Sequence, residues 1–187
     1  MRLLEAVNTV LPYLGEHTIT HIEGNKHPSV DLILAAIDRH KTTLLSNGWW
    51  FNEGTMTIPV NTDGMIDVPV NTLQVEGIDC YICLDGERFF NLENNSRYFD
   101  KPINVKMFRD LPFERLPEVA ALVIVYRAAI EVYSGDFGAD NVLQTLQMFA
   151  ETNRQQLMQE NLRNRKYNSH DRVRRSFTRF NHVLNRR

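Results

Sequence analysis

The chain has 187 residues, of which 43% are hydrophobic and 24% charged. That is ordinary composition for one globular domain able to bury a core. Its longest apolar run, Val119 to Tyr126, stops at Arg127, far short of the ~20 residues a membrane span needs, and Met1 to Glu5 lacks a signal-peptide core, so a cytoplasmic, unprocessed chain without a membrane anchor is expected. The net charge of −2 is unevenly split: residues 163–187 hold nine Lys/Arg against Asp171, net +8, while the remainder holds 12 bases and 22 acids, net −10.

Arg2 to Leu14 places Leu3, Leu4, Val7, Val10, Leu11 and Leu14 at helical spacing, with Gly15 as C-cap and Pro12 bending or shortening the end. A polar connector, His17 to Lys26, follows. Pro28 suits the first position of a second helix, whose stripe is Val30, Ile33, Leu34, Ile37, Leu44 and Leu45. Asn47-Gly48 ends it, and Trp49-Trp50-Phe51 come next. These rings are expected to cap the core, as hinge aromatics, where helix hands over to sheet.

From Thr55 to Phe108 the period changes to two. Met56, Ile58 and Val60 alternate, then Ile66 and Val68, with Asp63-Gly64 between them as a hairpin signal. Leu73 to Glu76 continues the pattern. Cys80 to Leu84 and Arg88 to Leu92 flank a second signal, Asp85-Gly86, and Ile103, Val105 and Met107 make a last strand. The pattern predicts an antiparallel meander of five or six short strands. Cys80 and Cys83 form a C-x-x-C on a predicted strand. There they point to opposite faces, and no further Cys is present, so small buried residues are expected rather than a redox or zinc pair.

Pro117-Glu118 opens a third helix, apolar nearly all round from Val119 to Tyr133, which predicts burial on several sides. Gly135 and Gly138 are expected to end it. Asp140 then caps a fourth helix to about Asn164, whose thin seam of Leu143, Leu146, Ala150, Leu157 and Leu162 needs a partner. In the basic arm, Val173, Phe177, Phe180 and Leu184 stand at i, i+4, i+7 and i+11 among Arg172, Arg174 and Arg175. That spacing suits a segment that orders on a protein partner, with phosphate binding or a solvated tail as alternatives.

Few residues carry chemistry. There is no phosphate loop, nucleophile elbow, H-E-x-x-H or EF-hand loop. His17 and His21 sit in an extended connector, where their spacing does not chelate. Glu114 with Glu118, and Asp136 with Asp140, are imaginable glycosidase acids, but each is placed at or before a helix start, where acids are favoured anyway. No catalytic residue, metal ligand or cofactor site is assigned.

Ala6-Val7-Asn8 with Leu14-Gly15-Glu16, then Gly48-Trp49 with Phe51-Asn52, resemble the N-terminal part of the tail tubular protein A family of short-tailed bacteriophages. Gly64 to Pro69 and Asp85-Gly86 resemble its sheet. Phe113 to Glu118, the following helix with Ala128-Ala129, and the Gln- and Glu-rich stretch Gln155 to Asn161 extend the resemblance over roughly residues 3–165. It implies a non-enzymatic virion protein at the head–tail junction, assembled in the host cytoplasm. It also implies an adaptor or connector forming a ring, usually of twelve subunits, between portal protein and tail nozzle protein, with DNA ejected through the lumen. A C-terminal segment reaching the portal would employ the arm. The remaining alternatives are a nucleic-acid-binding assembly or regulatory protein and a carbohydrate-active virion hydrolase. The expected fold is α+β: a bundle of about four helices (1–54 and 109–166), an inserted antiparallel β domain (55–108) and the arm (167–187).

Overall fold

The computed structural model describes residues 1–24 and 27–165. Helix α1 spans Leu3–Val10, and the chain then tightens into a 3₁₀ turn over Leu11–Leu14. Pro12 has no N–H for an α-helical bond, so the shortened end expected from the sequence is observed. Gly15, at φ 75°, closes the turn by donating its N–H to the carbonyls of Leu11 and Pro12. Helix α2, Pro28–Ser46, begins at its proline, and Val30, Ile33, Ile37, Leu44 and Leu45 are buried. Leu34, from the predicted stripe, is half-buried.

Helix α3, Glu118–Asp136, is the centre of the helical part, and α1, α2 and α4 pack around it. Its buried residues, among them Ala121, Ile124, Val125 and Ala128, face several directions, as its all-round apolar sequence requires. It runs through Gly135, so Asp136 is its last residue and not the helix-start acid the sequence suggested. A glycine in a helix costs only about 1 kcal/mol, less than the surrounding packing supplies.

Helix α4, Asn141–Asn164, is capped as expected: the Asp140 carboxylate accepts the Leu143 N–H at 2.9 Å and the Tyr133 hydroxyl. Leu146, Ala150 and Leu157 are buried, with α3 as the neighbouring helix. The seam therefore finds its partner inside the chain. Leu162, assigned to that seam, is instead 56% exposed. At about 100° per residue it lies nearly opposite Leu146 on the helix.

The strands are β1 (Glu53–Ile58), β2 (Thr72–Gly77), β3 (Ile82–Asp85), β4 (Arg88–Asn91) and β5 (Ile103–Arg109). They form an antiparallel sheet ordered β1-β5-β2 and a separate hairpin, β3-β4. The register runs from Glu53 opposite Phe108 to Ile58 opposite Ile103. This corrects the predicted meander: β1 pairs with the last strand, not the next. Ile66 and Val68 form no hairpin with β1. Asn61 accepts the N–H groups of Asp63 and Met65 through its side chain, closing a tight turn. Pro59 and Pro69, which cannot donate, flank the stretch. Ile66 and Val68 run beside β4 instead, with Phe89 N–H donating to Ile66 O at 3.0 Å and Val68 N–H to Glu87 O at 2.9 Å.

The Asp85-Gly86 turn is a hairpin turn as expected, with Gly86 at φ 65° and Asp85 opposite Arg88. A second apolar cluster gathers Ile58, Ile66, Phe89, Phe99, Val105 and Met107. Cys80 lies in a bend before β3 rather than on a strand, half-buried beside this cluster, and burial pushes its thiol pKa up. Cys83, on β3, is exposed rather than buried, and both thiols are free.

Candidate assembly site at the helix–sheet joint

The chain passes between helices and sheet at the end of α2 and at the end of β5. Asn52 ties these crossings together. It is fully buried, and its side-chain amide donates to Leu45 O at 2.8 Å and Arg109 O at 3.0 Å. Its side-chain oxygen accepts the Trp49 N–H at 2.8 Å, and its backbone carbonyl accepts the Arg109 N–H at 3.0 Å. One amide thus satisfies groups from α2, the aromatic turn and β5. A buried amide without such partners would cost several kcal/mol.

Gly48 makes the close approach possible. Its φ is 70°, and a Cβ there would stand 2.4 Å from the Phe108 ring. Only glycine meets both conditions without a shift. Trp49 is buried in the helical core and donates its indole N–H to Leu44 O at 2.7 Å. Trp50 and Phe51 are half-buried against the same core and meet edge to face, ring centroids 4.9 Å apart. Lys106 lies 5.0 Å from the Phe108 ring centre and 3.3 Å from both Glu53 and Glu76.

The end of α4 is fastened here too. Asn161 accepts the Trp50 N–H at 3.2 Å, and Arg165 donates to Gly48 O at 3.0 Å while pairing with Glu53. The last described residue is therefore held at the joint, and the basic arm begins from it. Arg172, Val173, Arg174, Arg175, Phe177, Phe180 and Leu184 lie outside the described residues.

Sequence reasoning marked the aromatics of this joint but missed Asn52, Asn161 and Arg165. A lone amide directly after three aromatics was the available signal for Asn52. Nothing local marks Asn161 or Arg165, because their partners are more than 100 residues away.

Two of the four imagined acids make structural contacts. Glu118 pairs with the Met1 ammonium at 2.8 Å, and Asp140 is the α4 cap. Glu114 sits in a 3₁₀ turn, Phe113–Arg115, ahead of α3. His21 Nδ1 lies 2.9 Å from Thr20 Oγ1. Among the described residues, no three His, Cys, Asp or Glu side chains are placed to hold a metal ion, and no helix is long and apolar enough to cross a membrane.

Several large apolar side chains are exposed in the sheet region and on α4. In the sheet region Val70, Ile78, Tyr81, Leu92 and Tyr98 are each more than half exposed. On α4, Met148, Met158 and Leu162 are exposed. Such residues mark contact surfaces when grouped.

Comparison with known proteins fits a contact-making protein. The family model described as tail tubular protein matches residues 4–167. Tail tubular protein A of Klebsiella phage KP34 is 34% identical over 171 residues, covering 90% of this chain and 91% of that protein. The chain belongs to the tail tubular protein family and is a structural component of a bacteriophage virion, in its tail.

Proposed function

We propose that this chain is a ring-forming adaptor at the head–tail junction, joining portal protein to tail nozzle protein around the DNA ejection path. Residues 1–54 and 109–166 act as one helical unit on which the 55–108 sheet unit is mounted, and 167–187 is the portal-docking arm. The observation that carries this reading is the position of Arg165. The arm departs from the joint that fastens α4 to both crossings between helices and sheet. A pull on the arm would act on the whole body rather than on a frayed helix end. The open apolar residues of the sheet region supply a face for a neighbouring copy or the nozzle. Residues 1–162 carry net −10, which favours DNA sliding past rather than sticking.

The test is electron microscopy of the full chain mixed with purified portal. A ring seated on the portal is expected, and it should be lost when 167–187 is deleted while the truncated protein stays folded. Undiminished portal binding by the truncated protein would remove the arm from this role. Salt-dependent binding of free duplex DNA, weakened by substituting Arg172, Arg174 and Arg175, would favour a nucleic-acid role instead.

A further inference from the structure

The β3–β4 hairpin is apolar on both faces, and the described chain covers one of them. Residues directly opposed across two strands share a face, and neighbours along a strand alternate. Ile82 stands opposite Asn91 and Leu84 opposite Phe89, and of these Ile82, Phe89 and Asn91 are buried. Cys83 and Phe90 are opposed on the outer face. Leu92 N–H donates to Tyr81 O at 2.9 Å, which extends that face by one pair. There Cys83 is exposed, Tyr81 is 73% exposed and Leu92 is 54% exposed. A strand with one wet face alternates apolar with polar residues, whereas strands apolar on both faces are those covered on both.

Helix α4 carries a second open patch. Leu146, Ala150 and Leu157 are buried, within about 40° of one another at 100° per residue. Met148, Glu151, Gln155, Met158 and Leu162 follow one another by three and four residues, so they share an arc of about 80° on the other side. All five are exposed, and three are apolar. A helix that needed only to cover its own core would not require apolar residues there. Each patch also has a charge at its border. Glu93 follows Leu92, and Arg163 follows Leu162. Both are exposed, and neither is paired with an opposite charge among the described residues.

We infer that the outer face of the β3–β4 hairpin seats on the outer face of α4 of a neighbouring copy, with Glu93 set against Arg163 across the contact. This rests on the ring reading and names the contact between its subunits. A ring of identical chains closes through two different patches, each used once per contact, whereas a patch that met its own copy would give pairs. This chain presents two such patches, one on the sheet unit and one on the helical unit. Covering an apolar sheet face with the apolar stripe of a helix is ordinary two-layer packing. Opposite charges at the borders fix the direction of docking and disfavour the reversed pairing, in which like charges would meet. The helical unit of one copy then supplies the layer that the neighbour's hairpin lacks.

Cys83 supplies the test, because its free thiol lies on the hairpin's outer face. Full-length Leu162→Cys, an exposed change, is assembled with purified portal and treated with a short bismaleimide. A ladder of covalent oligomers beyond the dimer is expected, and it should vanish when Cys83→Ser is added. A second arm exchanges the border charges. Glu93→Arg or Arg163→Glu alone should lower the fraction of portals bearing a ring about tenfold in electron micrographs, and the two together should restore it to within about twofold. Rings without a ladder would overturn this contact while leaving the ring reading in place. Products that stop at the dimer would overturn the head-to-tail pairing, and single charge changes without effect, or without rescue in combination, would overturn the pairing of Glu93 with Arg163. Absence of any ring from the wild-type chain on portal would overturn the ring reading, and this inference with it.

Discussion

Around α3, neighbours cover the helix on several sides; around β5, one face is buried and the other stays partly open at Asn104 and Lys106. The helical cluster buries residues from α1 through α4 and seals its end with Trp49. The sheet cluster is smaller, and Asn104, on the opposite face of β5, is tied to Thr57 and Asp79 by side-chain hydrogen bonds at the surface. A part that buries little apolar area has little to hold it, at about 25 cal/mol per Å². The helical part is therefore expected to be the more stable of the two, with the sheet part depending on the joint.

The strongest way to break this contrast is a cavity in each cluster. Ile124→Ala, in the middle of α3, should cost about 4 kcal/mol and loosen the whole chain. Phe89→Ala should cost a similar amount locally, but amide exchange is expected to rise in 53–109 while α3 stays protected. If α3 exchanged equally fast in Phe89→Ala, the two clusters would be one cooperative unit and the contrast would be lost.

The joint comes next. Gly48→Ala places a Cβ against the Phe108 ring and demands a left-handed backbone, at a combined cost of about 3 kcal/mol. Asn52→Ala removes the amide shared by Trp49, Leu45 and Arg109 and should cost about 2 kcal/mol. Both costs are read as shifts of the denaturant midpoint. Exchange should rise first where β1 and β5 meet the helices. A loss confined to α1 would show that the joint does not couple the two parts.

Local signals were legible in the sequence and distant pairings were not. Pro12, Pro28, Asp140 and the Asp85-Gly86 turn act within a few residues of themselves, and each was read correctly. The pairing of Ile58 with Ile103 spans 45 positions, and alternation in β1 cannot name its partner. The same alternation misled at Ile66 and Val68, where an Asn61 turn and two prolines replace a ladder. On α4 the spacing of apolar residues was visible, but Leu162 was assigned to the wrong face because a thin seam leaves the helix phase loosely defined. Asn52 was legible only as a neighbour of the aromatics, since its three partners are set by the closed fold.

The smallest expected effect lies within the helical part, at the turn from α3 to α4. The Tyr133 hydroxyl donates to Asp140, and that bond, helped by the Leu143 N–H, holds the Asp140 carboxyl below its usual range. The same bond raises the Tyr133 phenol above its ordinary value. For Asp140 the unfolded chain binds the proton more readily. Its contribution is therefore present above the ordinary carboxylate pKa and is lost as pH falls through the lowered folded value. For Tyr133 the raised value reverses the sense: stability is present below the ordinary phenol pKa and is lost as pH rises through the folded one. Tyr133→Phe should weaken both flanks of the pH–stability curve, leaving a flatter profile between acid and alkali, as read by thermal melts across pH. Asp140→Asn should remove the part of the acid flank that Asp140 supplies, and a variant profile parallel to wild type would mean that solvent screens the pair completely. Because the pair is local, α4's seam on α3 should remain intact in both variants, with Leu146 and Leu157 still protected from exchange.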